Sequence, residues 1–108
     1  MIRVIFDKKD GNLVSVSLQG HAEWSKQGYD LVCSAVSAVS QSTVIGIIEV
    51  LKLNLDYSRK DGFLSFSLED MEEKDILRCQ VLMETMLLSL KSIEINFGKY
   101  ISVKVKEV

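Results

Sequence analysis

The phrase KDGNLVSVSL, from Lys9 to Leu18, resembles KDGFLSFSL from Lys60 to Leu68. In both, a Lys-Asp-Gly triplet is followed by apolar and polar residues in alternation. Val14, Val16 and Leu18 stand against Ser15, Ser17 and Gln19, and later Leu64, Phe66 and Leu68 against Ser65 and Ser67. A period of two is that of a strand with one buried and one wet face. The pair Asp10-Gly11 marks a tight hairpin turn, whose central residues need positive φ. Ile2 to Phe6 precedes the first triplet, and LNLDYS (53–58) precedes the second. Two hairpins of like build follow, and shared turn chemistry explains the likeness more simply than duplication.

Each hairpin is followed by a helical pattern. The first runs from about Leu31 to Lys52, with Val32, Val36, Val39, Ile47 and Val50 on one stripe. Its small residues, among them Ser34, Ala35, Ala38, Ser40 and Gly46, let another backbone come close, which suits sheet packing, a dimer partner or a ligand cleft. The second runs from about Glu72 to Ile95. It opens on acidic residues that favour a helix N-terminus, and Ile76, Met83, Leu87 and Leu90 form its apolar face. Tyr100 to Lys106 reads as a fifth strand. The order is ββαββαβ, and because the strands have one wet face, both helices belong on the other. The predicted fold is an α+β two-layer sandwich, two long helices on one face of a five-stranded, mostly antiparallel sheet.

At 108 residues the chain suffices for one core, so residues 1–108 read as a single domain. Thirteen basic residues are scattered among fifteen acidic ones, which removes the basic footprint of direct nucleic-acid binders. No apolar run is expected to approach the roughly 20 residues of a membrane span, and the opening MIRVIFDKKDG lacks the apolar block of a secretory signal. The expected partners therefore include neither nucleic acid nor membrane, and the expected address is cytoplasmic. Cys33 and Cys79 have no metal-ligand spacing, and neither a metal nor another cofactor is expected.

The rarest side chains gather in GHAEWSKQGYDLVCSAVS, residues 20–37, which holds the only histidine and the only tryptophan. If Asp30 caps the first helix, Cys33 is the third helical residue, among free backbone N–H groups at the positive end of the helix dipole. Such a helix start and a neighbouring imidazolium both lower a thiol pKa from about 8.5 toward roughly 3.5–7.5. His21 lies twelve residues upstream, across a loop that can fold back on the helix. Strict alternation places His21 on the wet face with Ser15, Ser17 and Gln19, so a Cys33–His21 pair requires Gly20 to bend the chain. The plainer reading of Cys33 is a small buried residue. Gly28 supplies freedom for a mobile flap. Ser37, four residues after Cys33, is placed to bond near the thiol or to satisfy a neighbouring carbonyl. Trp24 and Tyr29 either grip apolar side chains of a ligand or cap the core edge. Asp30 either caps the helix or orients His21. Cys79, among Leu77, Val81 and Leu82, is structural.

Gly-His-Ala, a variable loop, and then GYDLVCSAVS resemble the ribosomal-processing cysteine protease family, whose pattern is Gly-His-Ala, loop, Gly-x-Asp-hydrophobic-Val-Cys-small-small-x-Ser. Length and element order agree along the whole chain. The resemblance implies a bacterial cytoplasmic endopeptidase that removes an N-terminal extension from the precursor of large-subunit ribosomal protein twenty-seven, cutting after a hydrophobic, phenylalanine-containing motif. It implies Cys33 as nucleophile and His21 as its base, with Asp30 and Ser37 on motif positions in supporting roles. On this reading residues 22–29 form the flap, Gly28 its hinge, and the N–H of Cys33 or Ser34 receives the oxyanion. Trp24 falls in the variable part and inherits no role, so its contact with a substrate phenylalanine is an expectation of this sequence alone. The small-residue helix and the family together imply a homodimer. The competing readings are a non-catalytic, peptide-holding ribosome-assembly factor and a redox role for Cys33, the latter without a nearby resolving cysteine.

Overall fold

The computed structural model describes the backbone of residues 1–20, 27–60 and 62–108, and the side chains of all of these except 27–29. The elements come in the expected order: β1 (Ile2–Lys9), β2 (Asn12–Gln19), α1 (Gln27–Ile45), β3 (Asp56–Lys60), β4 (Phe63–Ser67), α2 (Glu73–Phe97) and β5 (Ile101–Glu107). The sheet order is β3-β4-β2-β1-β5. Among the described residues only the β1–β5 pair is parallel. At the first turn Asp10 and Gly11 have φ of 52° and 83°, the signs a type I′ hairpin demands, and Gly62 at the second has 71°.

Register puts the alternation to work. Val4, Leu18 and Leu64 line up across three strands, as do Phe6, Val16 and Phe66. These rows face a core shared with Val32, Val36 and Ile47 from the first helical segment and Cys79, Met83, Met86 and Leu90 from α2, so both helices cover one face. Phe6 and Phe66 are fully buried, each side chain contributing about 1.5–3 kcal/mol. The opposite face carries Ser15, Ser17, Ser65 and Ser67, all half-buried.

The register shifts between Asp7 and Lys8, which leaves Val14 as an extra residue in β2. The Val14 carbonyl then accepts the Leu68 N–H at 2.7 Å, lengthening the contact between β2 and the end of β4. Glu94 of α2 accepts the Val103 N–H at 2.7 Å and so ties the helix to β5.

Four expectations need correction. The first helix begins at Gln27, not Leu31, and its α-helical part ends at Ile45. A π-helical turn over Gly46–Val50 follows, with the Leu51 N–H bonded to the Gly46 carbonyl at 2.9 Å. The five-residue hydrogen bond slips the helical phase by one position. Leu51 therefore packs on the core, while Val50, expected on the buried stripe, is 73% exposed. The third strand forms at Asp56–Lys60 rather than at 53–58, with Leu53 and Leu55 packed against the core before it begins. Finally, the 21 residues Asp30–Val50 are long and apolar enough to cross a membrane by length and composition alone. The fold uses this segment as a core helix, with Val32, Val36, Val44 and Ile47 buried.

Candidate functional site

The candidate site is built where β2 leaves the sheet and α1 begins. β2 ends at Gln19, paired with Phe63 of β4. Gly20 is outside the strand, and its N–H donates to the Gly62 carbonyl at 2.9 Å, extending the ladder by one bond into the second hairpin turn. The bend expected at Gly20 is one that aims His21, and its outcome therefore lies outside the described residues. His21, Ala22 and Trp24 lie outside the described residues, as does the side chain of Tyr29.

Gly28 and Tyr29 are the second and third residues of α1 in backbone conformation, so residues 27–29 belong to the helix and not to a loop. This corrects the placing of Gly28 as a hinge ahead of the helix. A glycine costs a helix about 1 kcal/mol against alanine, yet in a first turn it forfeits little hydrogen bonding because those N–H groups have no intrahelical acceptor. Asp30 is likewise corrected. It lies within the first turn rather than at the N-cap and is exposed. There its charge complements the helix dipole, a stabilisation of about 0.3–1 kcal/mol.

Cys33 is consequently the seventh helical residue, not the third. The N–H groups of Cys33 and Ser34 fall within the i→i−4 ladder, and the unpaired donors belong to the turn before them. Neither group is then free to receive an oxyanion, which overturns that expectation for this conformation. The dipole field also fades within the first turn, so little of it reaches the thiol.

The side chain of Cys33 is half-buried and packs on the core edge, next to the fully buried Val32. Ser34 and Ser37 are exposed. The Ser37 hydroxyl accepts a hydrogen bond from Gln41 Nε2 at 2.7 Å, a partner that neither reading of this serine anticipated. The inward small residues have other work. Ser40 and Thr43 donate to the carbonyls of Val36 and Val39 at 2.7 and 3.1 Å, and Gly46 lies against Leu82 of α2. Cys79 is fully buried, and burial raises its thiol pKa. It is structural, as the sequence implies.

Among the described residues no group of His, Cys, Asp and Glu could hold a metal ion. A shallow hollow lined by Ser15, Ser17, Ser58, Ser65 and Ser67 with Asp7, Asp56 and Glu69 lies on the other face of the sheet, away from α1. The Ser15 hydroxyl there donates to Asp7 at 2.8 Å. Gly62, which holds Gly20, is a member of this neighbourhood that the motif at residues 20–37 does not include. The signal was available in the second Lys-Asp-Gly triplet.

Comparison with known proteins places these features in a family. The family model described as cysteine protease Prp matches residues 1–102. The ribosomal processing cysteine protease Prp of Bacillus subtilis is 31% identical over 91 residues, covering 82% of this chain and 81% of its own. A crystal structure of an essential ribosomal processing protease Prp from S. aureus in complex with a substrate peptide superposes with a TM-score of 0.85 at 28% identity, covering 98% of this chain and 100% of that one. A second, with a covalently linked product peptide, gives 0.82 at 30% identity over the same shares.

Proposed function

Because the chain belongs to the cysteine protease Prp family, we propose that it is a cytoplasmic endopeptidase that removes the N-terminal extension of the precursor of large-subunit ribosomal protein twenty-seven, using a Cys33–His21 dyad. The observation that carries this reading is that Cys33, at the family's Cys position, is only half-buried, in a chain whose other thiol is sealed in the core. The relatives solved with a substrate peptide and with a covalently linked product peptide support it.

His21 takes the proton of the Cys33 thiol, and Sγ attacks the scissile carbonyl carbon. The tetrahedral intermediate collapses as imidazolium protonates the departing amine, leaving a thioester on Cys33. His21 then removes a proton from water, whose oxygen replaces sulfur, and the carboxylate product leaves. With Cys33 in the second turn, the helix dipole contributes little to forming the thiolate. Activation therefore rests on His21.

The working form is a homodimer. Leu77, Val81, Leu88 and Ile95 are 53%, 75%, 66% and 83% exposed along one stripe of α2. Antiparallel pairing of α2 with a second copy about Leu88 sets Val81 against Ile95 and brings Glu84 near the opposing Lys91, so charge and apolar pattern complement each other.

The test is to incubate the purified protein with a peptide spanning the ribosomal protein's extension and to weigh the products. Cleavage at one bond, abolished in Cys33→Ala, is the expected result. A peptide that binds and stays whole would establish the assembly-factor reading instead. Cleavage surviving Cys33→Ala would remove the assigned nucleophile.

A further inference from the structure

The two Lys-Asp-Gly turns look alike in sequence and differ in surroundings. Gly11 and Gly62 both have positive φ, at 83° and 71°. A Cβ on Gly11 would meet nothing within 4 Å, whereas a Cβ on Gly62 would overlap the carbonyl oxygen of Gly20. Topology accounts for the contrast. The first turn joins β1 and β2 at the start of β2. The second joins β3 and β4, and since Phe63 pairs with Gln19, it lies beside the end of β2 where the chain leaves the sheet. The Gly20 N–H donates to the Gly62 carbonyl at 2.9 Å, so the two glycines touch through a hydrogen bond and through bare backbone.

The oxygen of Gly20 belongs to the peptide unit that joins it to His21. That unit is planar and stiff, so moving its oxygen re-aims the nitrogen and Cα of the next residue. We propose that Gly62 is a positioning residue for His21: its missing side chain lets the β3–β4 turn pack on the Gly20–His21 peptide and fix the direction in which the chain departs. This deepens the dyad reading and rests on it for the catalytic consequence. The first glycine serves its turn, and the second serves its turn and the site.

The experiment compares Gly62→Asn with Gly11→Asn, because asparagine tolerates positive φ better than most residues and so isolates the added side chain from backbone strain. His21 is the only histidine, so its imidazole Hε1 gives one proton NMR signal, unambiguously assigned, whose titration reports its surroundings directly. Gly62→Asn is expected to displace that titration midpoint and to lower kcat/KM on the extension peptide about 100-fold, the cost of a reacting group misplaced by about 1 Å, chiefly through kcat. Gly11→Asn is expected to change neither. An unmoved His21 titration in Gly62→Asn, or an equal effect in Gly11→Asn, overturns the proposal. The NMR readout decides even if the unsubstituted protein cleaves nothing, which separates failure of this inference from failure of the protease reading. Should Gly62→Asn not fold, hydrogen exchange in the unsubstituted protein decides. A Gly20 amide protected like that of Leu18 supports the packed turn, and an unprotected one overturns it.

Discussion

The side-chain amide of Gln80 grips Leu13 from both sides. Its Oε1 accepts the Leu13 N–H, its Nε2 donates to the Leu13 carbonyl, and each bond is 2.9 Å. The extra residue Val14 disturbs the β1–β2 ladder at this point, and Gln80 of α2 supplies the bonds the local irregularity calls for. Gln80→Ala leaves both part-buried groups without that partner, so we expect a loss of about 2–3 kcal/mol in urea unfolding. A loss under about 0.5 kcal/mol would mean that water serves Leu13 equally well.

The two thiols should separate cleanly. In the native protein iodoacetamide is expected to modify Cys33, only half-buried, and to spare Cys79 until the chain unfolds. Burial holds the folded pKa of Cys79 above its unfolded value of about 8.5. The stabilisation from keeping this thiol neutral is thus fully present below that value and is lost as pH rises through the folded pKa. Urea midpoints measured from pH 8 upward should fall, and Cys79→Ala, less stable at neutral pH, should show a shallower fall. Parallel slopes would contradict this.

At the crossing of the two helices a Cβ on Gly46 would stand 2.9 Å from Leu82 Cδ1. Alanine is preferred over glycine in a helix by about 1 kcal/mol, and the clash opposes that gain. In a Leu82→Ala background the clash is gone, so adding Gly46→Ala should stabilise by up to about 1 kcal/mol, less in the π-helical turn, while in the native background it should not. A double-mutant cycle with no coupling energy would refute the contact.

The exposed stripe on α2 gives the dimer a direct test. Leu88→Glu places two like charges at the centre of the paired helices and is expected to yield a monomer in sedimentation equilibrium, with the fold kept because Leu88 is 66% exposed. A Leu88→Glu protein that sediments as the parent does would move the interface elsewhere.

The turns and strands were legible because their signals are local. Asp10-Gly11 needs positive φ, and alternation from Val14 to Leu18 names the buried face without reference to anything distant. The start of α1 was not legible. Gln27, Gly28, Tyr29 and Asp30 carry no apolar periodicity, and an aspartate suits an N-cap and a first turn equally well. Asp30 therefore looked like the cap, and Cys33 inherited a helix start that lies a turn earlier. The π-helical turn has no local signature either. Its phase slip is matched to Leu51 packing on the core and Gly46 against Leu82, contacts that exist only once α1 and α2 have met. The pairing of Gly20 with Gly62 escaped for the same reason, since 42 residues separate them.

β1 lies between β2, its neighbour in sequence, and β5, the last element of the fold, which runs parallel to it from Ile2↔Ile101 to Lys8↔Glu107. During synthesis the hairpin β1–β2 can close at once, but one side of β1 must wait, bare, for more than eighty further residues to emerge. Ile2, Val4 and Phe6 are then an open sheet edge on a nascent chain, the kind of surface that recruits chaperones or a second chain. Completion of the sheet is therefore a late event, and a chain stopped short of Ile101 lacks the strand that seals the edge.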